Sequence, residues 1–229
     1  MRILITGGGT EEPLDSVRNV CNSSTGRTAS FLAEHFLRRG HDVAAIMARR
    51  AVLPSADSQA GGTLSVRGYR TFADLRAVLE DECRNGGFGA VIHAAAVSDY
   101  SPDVIEIDGE EFKAGEILKL PSDGELVVRM RRNPKLLGFL REWTGGAAKI
   151  IAFKLTSGAA RRNREAAVGK LFRTSAPDAV VSNDLSEISG GSHPCTIYRA
   201  DGRTAPCRTL PELAEALEAL ILEPEEERL

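Results

Sequence analysis

The sequence is poor in the residues that mark disulfide-rich or zinc-binding proteins. It has four cysteines in 229 residues, and none of them forms a C-x-x-C pair. This spacing argues against a disulfide framework and against a zinc site. Cys21 lies beside a glycine-rich stretch and is a candidate catalytic thiol, but a small buried thiol is the simpler interpretation. We therefore expect a reduced, cytoplasmic protein.

The chain also lacks an excess of charge of one sign and a long apolar run. Its formal net charge is −3, so we expect no general attraction to nucleic acid or to an anionic membrane. No apolar run approaches the roughly 20 residues that a membrane helix needs. A strand is predicted to begin at residue 2, which leaves no room for a signal peptide. The length allows one large domain, or a domain with a small addition.

Apolar strands alternate with amphipathic helices along the chain. The pattern predicts strands at residues 2–6, 42–48, 63–66, 90–96, 126–130, 149–155, 179–182 and 196–199. It predicts helices around residues 29–37, 71–81, 134–143, 159–172 and 210–222. This alternation is typical of an α/β protein, and we expect a single Rossmann-like domain with a doubly wound, mainly parallel sheet. Residues 101–131 are polar and irregular, and they predict an insertion that projects from the sheet as a flap or a dimerisation arm.

Three glycines follow the first predicted strand directly. Glycines at positions 7, 8 and 9 let backbone N–H groups approach a ligand, because no Cβ is in the way. Residues 22–26 (Asn-Ser-Ser-Thr-Gly) add polar groups just before the first helix. The unpaired N–H groups and the dipole of such a helix start favour phosphate. A tight strand-to-helix turn without a ligand is the alternative interpretation.

Two phosphate-binding motifs are absent from this stretch. The third glycine of the dinucleotide fingerprint G-x-G-x-x-G would be residue 12, where the chain has Glu12. A Walker A loop through Gly26 would need a glycine where the chain has Cys21, and no Gly-Lys-Ser/Thr follows. The predicted anion site therefore belongs to neither motif.

Polar residues cluster at the predicted carboxyl ends of four strands. The clusters are residues 7–10, 93–99, 153–154 and 183–184. Ligands of doubly wound sheets bind at this edge, so the four clusters predict one shared crevice. Within them, His93 is more simply interpreted as a hydrogen-bonded histidine at a strand end than as a catalyst.

Short motifs occur in a fixed order between residues 3 and 184. They are Gly8-Gly9-Thr10, Glu12-Pro13, Val17-Arg18, Asn22-x-Ser24-Thr25-Gly26, the run Ala-Ala-Ala-Val-Ser-Asp-Tyr at 94–100, Asn133-Pro134-Lys135, Phe153-Lys154-Leu155 and Asn183-Asp184. In this series the chain resembles the phosphopantothenate–cysteine ligases (phosphopantothenoylcysteine synthetases) of coenzyme A biosynthesis, in the stand-alone form that lacks the flavin-binding decarboxylase.

The resemblance implies a two-step ligase reaction without a flavin. The carboxylate of 4′-phosphopantothenate attacks the α-phosphate of CTP, or of ATP in eukaryotic members, and releases pyrophosphate. The amine of cysteine then displaces CMP or AMP from the acyl-nucleotide. The resemblance also implies that Mg²⁺ accompanies the nucleotide, because the site must neutralise a polyanion.

Two catalytic residues are implied by the resemblance. Asn22 matches the family asparagine that is needed when the acyl-nucleotide reacts with cysteine, and its amide can donate to the acyl oxygen as charge develops there. Asparagine would also suit an N-cap of the following helix. Lys119 matches the lysine of a mobile arm, whose charge meets the triphosphate. Lys113 is a rival because the register of the insertion is open.

The resemblance further implies two sets of binding residues. The nucleotide would contact Gly8, Gly9, Thr10, Ser24, Gly26, Ala94, Ala95, Asp99, Pro134, Phe153, Lys170, Arg173 and Asn183. The phosphopantothenate would contact Arg18, Asn22, Ala95 and Asp99. Phe153 would pack against the base and Asn183 would bind its edge, while Lys170 and Arg173 stand for two family lysines with shifted spacing.

Arg18 matches an arginine that reaches into the site of the neighbouring subunit. The resemblance therefore implies a homodimer. The alternative is that Arg18 pairs with Glu11, Glu12 or Asp15 on its own loop, in a solvated contact worth little.

Two other functions remain open at this point. An NADP-dependent reductase or epimerase would use the glycine turn, with Arg49 and Arg50 near the 2′-phosphate. The missing third glycine counts against it, as does the absence of a Tyr-x-x-x-Lys pair, since Val104 stands four residues after Tyr100. A non-catalytic nucleotide-sensing module would keep the phosphate loop without needing Asn22 or Lys119.

Overall fold

The computed structural model describes residues 1–55, 61–115, 119–121, 123–189 and 192–224. In chain order its strands are β1 (Arg2–Gly7), β2 (Glu11–Pro13), β3 (Asn19–Cys21), β4 (Asp42–Ala48), β5 (Leu64–Tyr69), β6 (Ala90–His93), β7 (Tyr100–Ile107), β8 (Glu110–Lys113), β9 (Leu126–Arg132), β10 (Lys149–Thr156), β11 (Ala179–Asp184), β12 (Cys195–Arg199) and β13 (Thr204–Cys207). The helices are α1 (Arg27–Arg38), α2 (Phe72–Asn85), α3 (Leu140–Trp143), α4 (Arg161–Ser175) and α5 (Leu210–Leu222).

The central sheet has eight strands in the order β13-β12-β11-β10-β6-β1-β4-β5. The six strands from β11 to β5 are parallel, and β12 and β13 form an antiparallel edge. Numbered along the chain, the parallel strands read 3-2-1-4-5-6 from β5 to β11, which is the doubly wound Rossmann order. The predicted fold class is confirmed.

The two faces of the sheet bury different helices because side chains alternate along each strand. On one face, Ile3 and Ile5 of β1 join the cluster that contains α1 and α5. On the other face, Leu4 joins the cluster that contains α2, α3 and Val168 of α4. The apolar stripe predicted for the first helix, residues 29, 32, 33, 36 and 37, is buried throughout.

Several boundaries differ from the sequence predictions. The strand predicted at 90–96 ends at His93, since the N–H of Ala95 donates to the side-chain hydroxyl of Thr6 and that of Ala96 to Gly8 in the loop after β1. The helix predicted at 134–143 is a short 3-10 turn, Leu136–Phe139, followed by α3. The β2–β3 hairpin was not predicted, since its strands have three residues each and carry no apolar alternation.

A separate three-stranded antiparallel sheet, in the order β8-β7-β9, lies within residues 100–132. We refer to these residues as the arm. They coincide with the predicted insertion, of which residues 116–118 and 122 lie outside the described residues. In the part of the chain that the structure describes, no helix combines the length and the apolar character needed to cross a membrane.

Candidate active site

The strand order reverses between β1 and β6, which run side by side. In doubly wound sheets the loops at the carboxyl ends of such a strand pair diverge and leave a crevice that binds ligands. Here the loop after β1 carries the glycine turn, and the loop after β6 carries residues 94–99. We refer to the space between them as the switch-point crevice.

Hydrogen bonds join the loop after β6 to the end of β1 and to the glycine turn. The backbone N–H groups of Ala94 and Ala95 donate to the carbonyl oxygen and to the hydroxyl of Thr6, at 3.2 and 3.1 Å. The N–H of Ala96 donates to the carbonyl of Gly8 at 2.8 Å. Both predicted contact residues, Ala94 and Ala95, are half-buried. Because their N–H groups are engaged within the protein, a ligand would meet their methyl groups and carbonyl oxygens.

His93 is part of this connection. Its Nδ1 lies 2.9 Å from the hydroxyl of Thr6. Burial lowers the pKa of His93 to about 4, so the imidazole is neutral at pH 7. The geometry agrees with the interpretation of His93 as a hydrogen-bonded histidine at a strand end.

The glycine turn is needed chiefly for close packing within the protein. A Cβ at Gly9 would lie 2.1 Å from the carbonyl oxygen of Asn22. Gly26 has a φ of +71°, and a Cβ there would lie 2.7 Å from the Cβ of Ala51. Gly8, Gly9, Thr10 and Gly26 are all buried. The glycines therefore let two loops meet, a requirement that applies whether or not a ligand also approaches them.

Two further contacts hold the turn. The N–H of Asn22 donates to the carbonyl of Thr10 at 3.2 Å, while the Thr10 hydroxyl accepts the N–H of Ser98 at 2.9 Å. From β5, the hydroxyl of Tyr69 lies 3.1 Å from the carbonyl oxygen of Gly7 and 3.0 Å from that of Gly8. Burial raises the pKa of Tyr69, so the phenol remains a neutral donor. Tyr69 belongs to no sequence motif, and the sequence analysis missed it.

Asn22 lies on the loop between β3 and α1, where its backbone contacts Gly9 and Thr10. The residue is half-buried, and its amide makes no hydrogen bond to the described residues. The N-cap of α1 is Gly26, four residues further on. The interpretation of Asn22 as an N-cap is therefore wrong, and its amide is available to a ligand.

The N-cap of α1, Gly26, follows Asn22 by four residues, and the N–H of the first helical residue, Arg27, lies 3.5 Å from the hydroxyl of Thr25. Gly26 makes no side-chain cap, and no acidic residue lies in the first turn. Unpaired N–H groups at a helix start carry a partial positive charge. Ser24, half-buried, stands just before it. These groups form a site suited to a phosphate.

Phe153 and Asn183 lie on the same face of the sheet as α1. Phe153 is half-buried and packs on the cluster beneath α1 and α5. Asn183 of the next strand is paired in register with Leu155, two residues beyond Phe153. Its Nδ2 lies 3.4 Å from the Nε2 of His193, whose pKa is lowered by burial. The sequence analysis missed His193, because the loop that brings it there carries no motif.

Asp99 and residues 133–135 meet at the base of the arm. The carboxylate of Asp99 pairs with the amine of Lys135, and its carbonyl accepts the N–H of Asn133 at 2.8 Å. The side chain of Asn133 donates to the carbonyl of Ser98 at 3.1 Å. Pro134, by contrast, lines a cavity of about 810 Å³ on the side of α2. The family motif residues thus bring the arm to the crevice edge.

Lys170 and Arg173 lie apart from the other predicted site residues. Both are exposed on α4, which packs through Val168 on the sheet face opposite α1. Lys170 is nine residues into the helix, roughly 13 Å from its start. The structure does not bring either side chain to Phe153 or Asn183, and their binding role stays a prediction.

The predicted arm lysines are both exposed. Lys119 directly precedes Leu120, which is buried. Lys113 ends β8 and is paired in register with Val104 of β7. Arg18 donates to Asp15 at 3.3 Å, and to the carbonyl of Leu120 at 3.2 Å. The alternative contact predicted for Arg18, within its own loop, is present.

Two other sequence interpretations are settled by their surroundings. Cys21 is exposed on β3, so the interpretation of it as a buried thiol is wrong. The β2–β3 hairpin, whose strands have three residues each, leaves its side chain uncovered. Arg50, near the predicted place of an NADP 2′-phosphate, lies 3.1 Å from Glu11, which Arg70 also approaches at 3.8 Å. Arg50 is thus engaged with a carboxylate, which disfavours the NADP interpretation.

Comparisons with known proteins point to one family. The family model described as "DNA/pantothenate metabolism flavoprotein C-terminal domain" matches residues 1–223. The coenzyme A biosynthesis bifunctional protein CoaBC of Thermococcus kodakarensis is 26% identical over 94% of this chain and 49% of its own length. The phosphopantothenate–cysteine ligase of Homo sapiens is 26% identical over 67% of this chain and 63% of its own length. The chain thus spans about half the length of the curated CoaBC relatives that it matches.

A solved structure has the same fold over nearly its whole length. The DNA/pantothenate metabolism flavoprotein of Streptococcus pneumoniae superposes with a TM-score of 0.83 at 27% identity, over 96% of this chain and 98% of that one. The C-terminal domain of a CoaBC protein superposes with a TM-score of 0.72 at 24% identity, over 96% and 94%. The arm and the central sheet are therefore covered in both comparisons.

The contact between Gly9 and Asn22 predicts the effect of one added methyl group. We expect Gly9→Ala to lower the free energy of unfolding by about 1–3 kcal/mol, because the new Cβ overlaps the Asn22 carbonyl and displaces the loop. Gly68→Ala is the matched control, since a Cβ at Gly68 would meet nothing within 4 Å. Chemical denaturation of both variants measures the difference. Equal stability of the two variants would contradict the close approach.

Proposed function

Because the chain belongs to the DNA/pantothenate metabolism flavoprotein C-terminal domain family, we propose that it is a ligase that joins 4′-phosphopantothenate to L-cysteine in coenzyme A biosynthesis. The observation that carries the proposal is the unpartnered amide of Asn22 beside the uncapped N-terminus of α1. Together they provide a hydrogen-bond donor for an acyl oxygen next to a site for phosphate. The names of the human and archaeal relatives support the same reaction.

The nucleotide, CTP or ATP, would occupy the switch-point crevice. Its phosphates would lie at the N-terminus of α1 near Ser24 and the glycine turn, where helix N–H groups are unpaired. The base would pack on Phe153 and meet Asn183 at its edge. Since Phe153, Asn183 and α1 share one face of the sheet, one nucleotide can span them.

In the first step, the carboxylate of phosphopantothenate would attack the α-phosphate and release pyrophosphate. Charge then develops on phosphate oxygens, and a cation beside them lowers the barrier. Lys119 on the arm would supply one such charge. Mg²⁺ would arrive bound to the nucleotide, as is usual where substrate phosphates supply most of its ligands. Among the described residues, no group of three or more His, Cys, Asp or Glu side chains could hold a metal ion.

In the second step, the amine of cysteine would attack the acyl carbon. The C–N bond forms as the bond to the nucleotide phosphate breaks, the amine loses a proton and CMP or AMP departs. Negative charge passes through the acyl oxygen, where the Asn22 amide would donate a hydrogen bond. Asp99 and the carbonyl of Ala95 are suited to bind the polar groups of the pantothenate chain.

We propose that the enzyme is a cytoplasmic homodimer. Arg18 is 41% exposed, and its contacts to Asp15 and Leu120 use a single guanidinium nitrogen. Its other nitrogens could bind a phosphate or carboxylate in a neighbouring subunit. On the arm, β9 leaves Leu126, Val127 and Met130 between 38% and 48% exposed, and a partner chain would cover them.

The reaction can be tested with a panel of nucleotides. We expect pyrophosphate release that requires Mg²⁺, 4′-phosphopantothenate and either CTP or ATP, and nucleoside monophosphate release that requires cysteine as well. Enzyme-coupled detection of pyrophosphate and chromatography of the nucleotides measure the two steps. A protein that binds NADPH tightly and releases no pyrophosphate from any nucleotide would instead be a reductase or epimerase.

The role of Asn22 predicts a separation of the two steps. Asn22→Asp keeps the size of the side chain but replaces the N–H donor with a negative charge. We expect the acyl-nucleotide to form, while its reaction with cysteine slows by roughly 10²-fold or more, the scale of losing one oxyanion donor. Mass spectrometry of quenched reactions would detect the accumulated intermediate.

Asn85→Asp is the matched control for this prediction. Asn85 ends α2, at the opposite edge of the sheet, where its side chain donates to Asp81. The control should keep both steps at the wild-type rate. Equal loss of both steps in Asn22→Asp, with the fold intact, would assign Asn22 to substrate binding instead of to the second step.

A further inference from the structure

Asp15 is a carboxylate buried beneath the arm. Its side chain has no exposed surface, yet it accepts the N–H groups of Val17 at 2.8 Å, of Arg18 at 2.6 Å and of Leu120 at 2.8 Å. A buried charge is tolerated only when such partners satisfy it. Two of these donors lie in its own loop, and the third belongs to the arm, 105 residues further along the chain.

Arg18 completes the contact from the other side of Leu120. Its Nη1 donates to the Asp15 carboxylate at 3.3 Å and to the carbonyl of Leu120 at 3.2 Å. Both backbone polar groups of Leu120 are therefore bound by the loop between β2 and β3, and its side chain is 1% exposed. The same loop also binds Gly115, whose N–H donates to the carbonyl of Leu14 at 3.1 Å.

These contacts act directly on Lys119. The N–H of Leu120 belongs to the peptide bond that joins it to Lys119, and a peptide bond is planar. The hydrogen bond that this N–H donates to the Asp15 carboxylate therefore fixes the plane in which the Cα of Lys119 lies. The side chain of Lys119 remains exposed, so its backbone is held while its amine is available.

We propose that Asp15 is a positioning residue that orients Lys119 by holding the peptide bond between Lys119 and Leu120. This proposal rests on the proposed function, in which Lys119 meets the triphosphate. A carboxylate suits the task because its two oxygens accept four donors here. An asparagine would offer one acceptor oxygen and would direct an NH₂ group at another donor.

The charge state of Asp15 follows from the same contacts. The hydrogen bond from Leu120 is the largest cause of a lowered pKa for Asp15, and the N–H groups of Val17 and Arg18 act in the same direction. The positive charge of Arg18, 3.3 Å away, also lowers the pKa of Asp15. With its folded-state pKa below the ordinary value near 4, the carboxylate stays ionised in neutral solution.

The test compares Asp15→Asn with Asp108→Asn. Asp108 is a matched control on the arm, because its carboxylate likewise accepts a backbone N–H, but from Glu125, at 2.8 Å, and not from Leu120. Hydrogen exchange followed by NMR reports on the Leu120 amide without any assay of activity. We expect exchange at Leu120 to accelerate about tenfold or more in Asp15→Asn and to be unchanged in Asp108→Asn.

Kinetics then test the link to Lys119. We expect Asp15→Asn to lower kcat for pyrophosphate release by roughly 10- to 100-fold, the scale of a misplaced catalytic group. In a Lys119→Ala background the same change should lower it less than about threefold, because the residue that Asp15 orients is gone. Asp108→Asn should keep the wild-type kcat in both backgrounds.

Three results would overturn the proposal. Unaltered exchange at Leu120 in Asp15→Asn would remove the contact. A full loss of kcat in the Lys119→Ala background would show that Asp15 acts through another residue. If Asp15→Asn fails to fold, hydrogen exchange in the wild-type protein provides the test. The Leu120 amide should then exchange much more slowly than the Lys119 amide. Equal exchange rates would contradict the proposal. An inactive wild-type protein with a protected Leu120 amide would instead refute the proposed ligase and the role of Lys119 with it.

Discussion

The site depends on the close approach of two backbone segments, at Gly9 and Asn22. The Asn22 carbonyl lies where any side chain at position 9 would be, and the Asn22 N–H donates to Thr10. This approach fixes the loop that precedes α1 and so fixes the start of the helix. Asn22 and the N–H groups at the start of α1 therefore belong to one loop and the helix that follows it, near the point where the strand order reverses. Neither group alone would distinguish a ligase from a general phosphate-binding loop.

Buried carboxylates and hydroxyls connect the surrounding loops to this point. Thr6 and Thr10 bind the loop after β6, and Glu12 accepts the N–H of Phe72 at the start of α2 and the hydroxyl of Ser101 on the arm. Asp184 accepts the N–H groups of Gly158 and Ala159 at the end of β10. Backbone N–H groups and hydroxyls satisfy these carboxylates, so hydrogen bonds hold these loops in addition to the surface ion pair between Asp99 and Lys135.

The sequence was sufficient for the main features of the fold, and it named a set of candidate site residues whose roles stay predictions. In the central strands and in α1, the apolar residues that the sequence pattern predicts to face the core are buried in the structure. The motifs that contain Asn22, Asp99 and Asn133 lie on loops that the fold connects through Thr10 and Ser98. The sequence could not show that Ala94 and Ala95 leave the strand, since an apolar run reads as strand wherever it is buried. Tyr69, His193 and the contact of Asp15 with Leu120 were missed because each depends on a contact made by the fold, and no local pattern marks it.

A structure of the protein with a non-hydrolysable CTP or ATP analogue and Mg²⁺ tests the central claim most directly. The account predicts the base against Phe153, with an edge near Asn183, and the phosphates at the N-terminus of α1 within hydrogen-bonding distance of Ser24 or the backbone of residues 24–28. A nucleotide bound instead at the carboxyl end of β4, with its phosphates beside Arg49 and Arg50 and the Asn22 amide unoccupied, would contradict it.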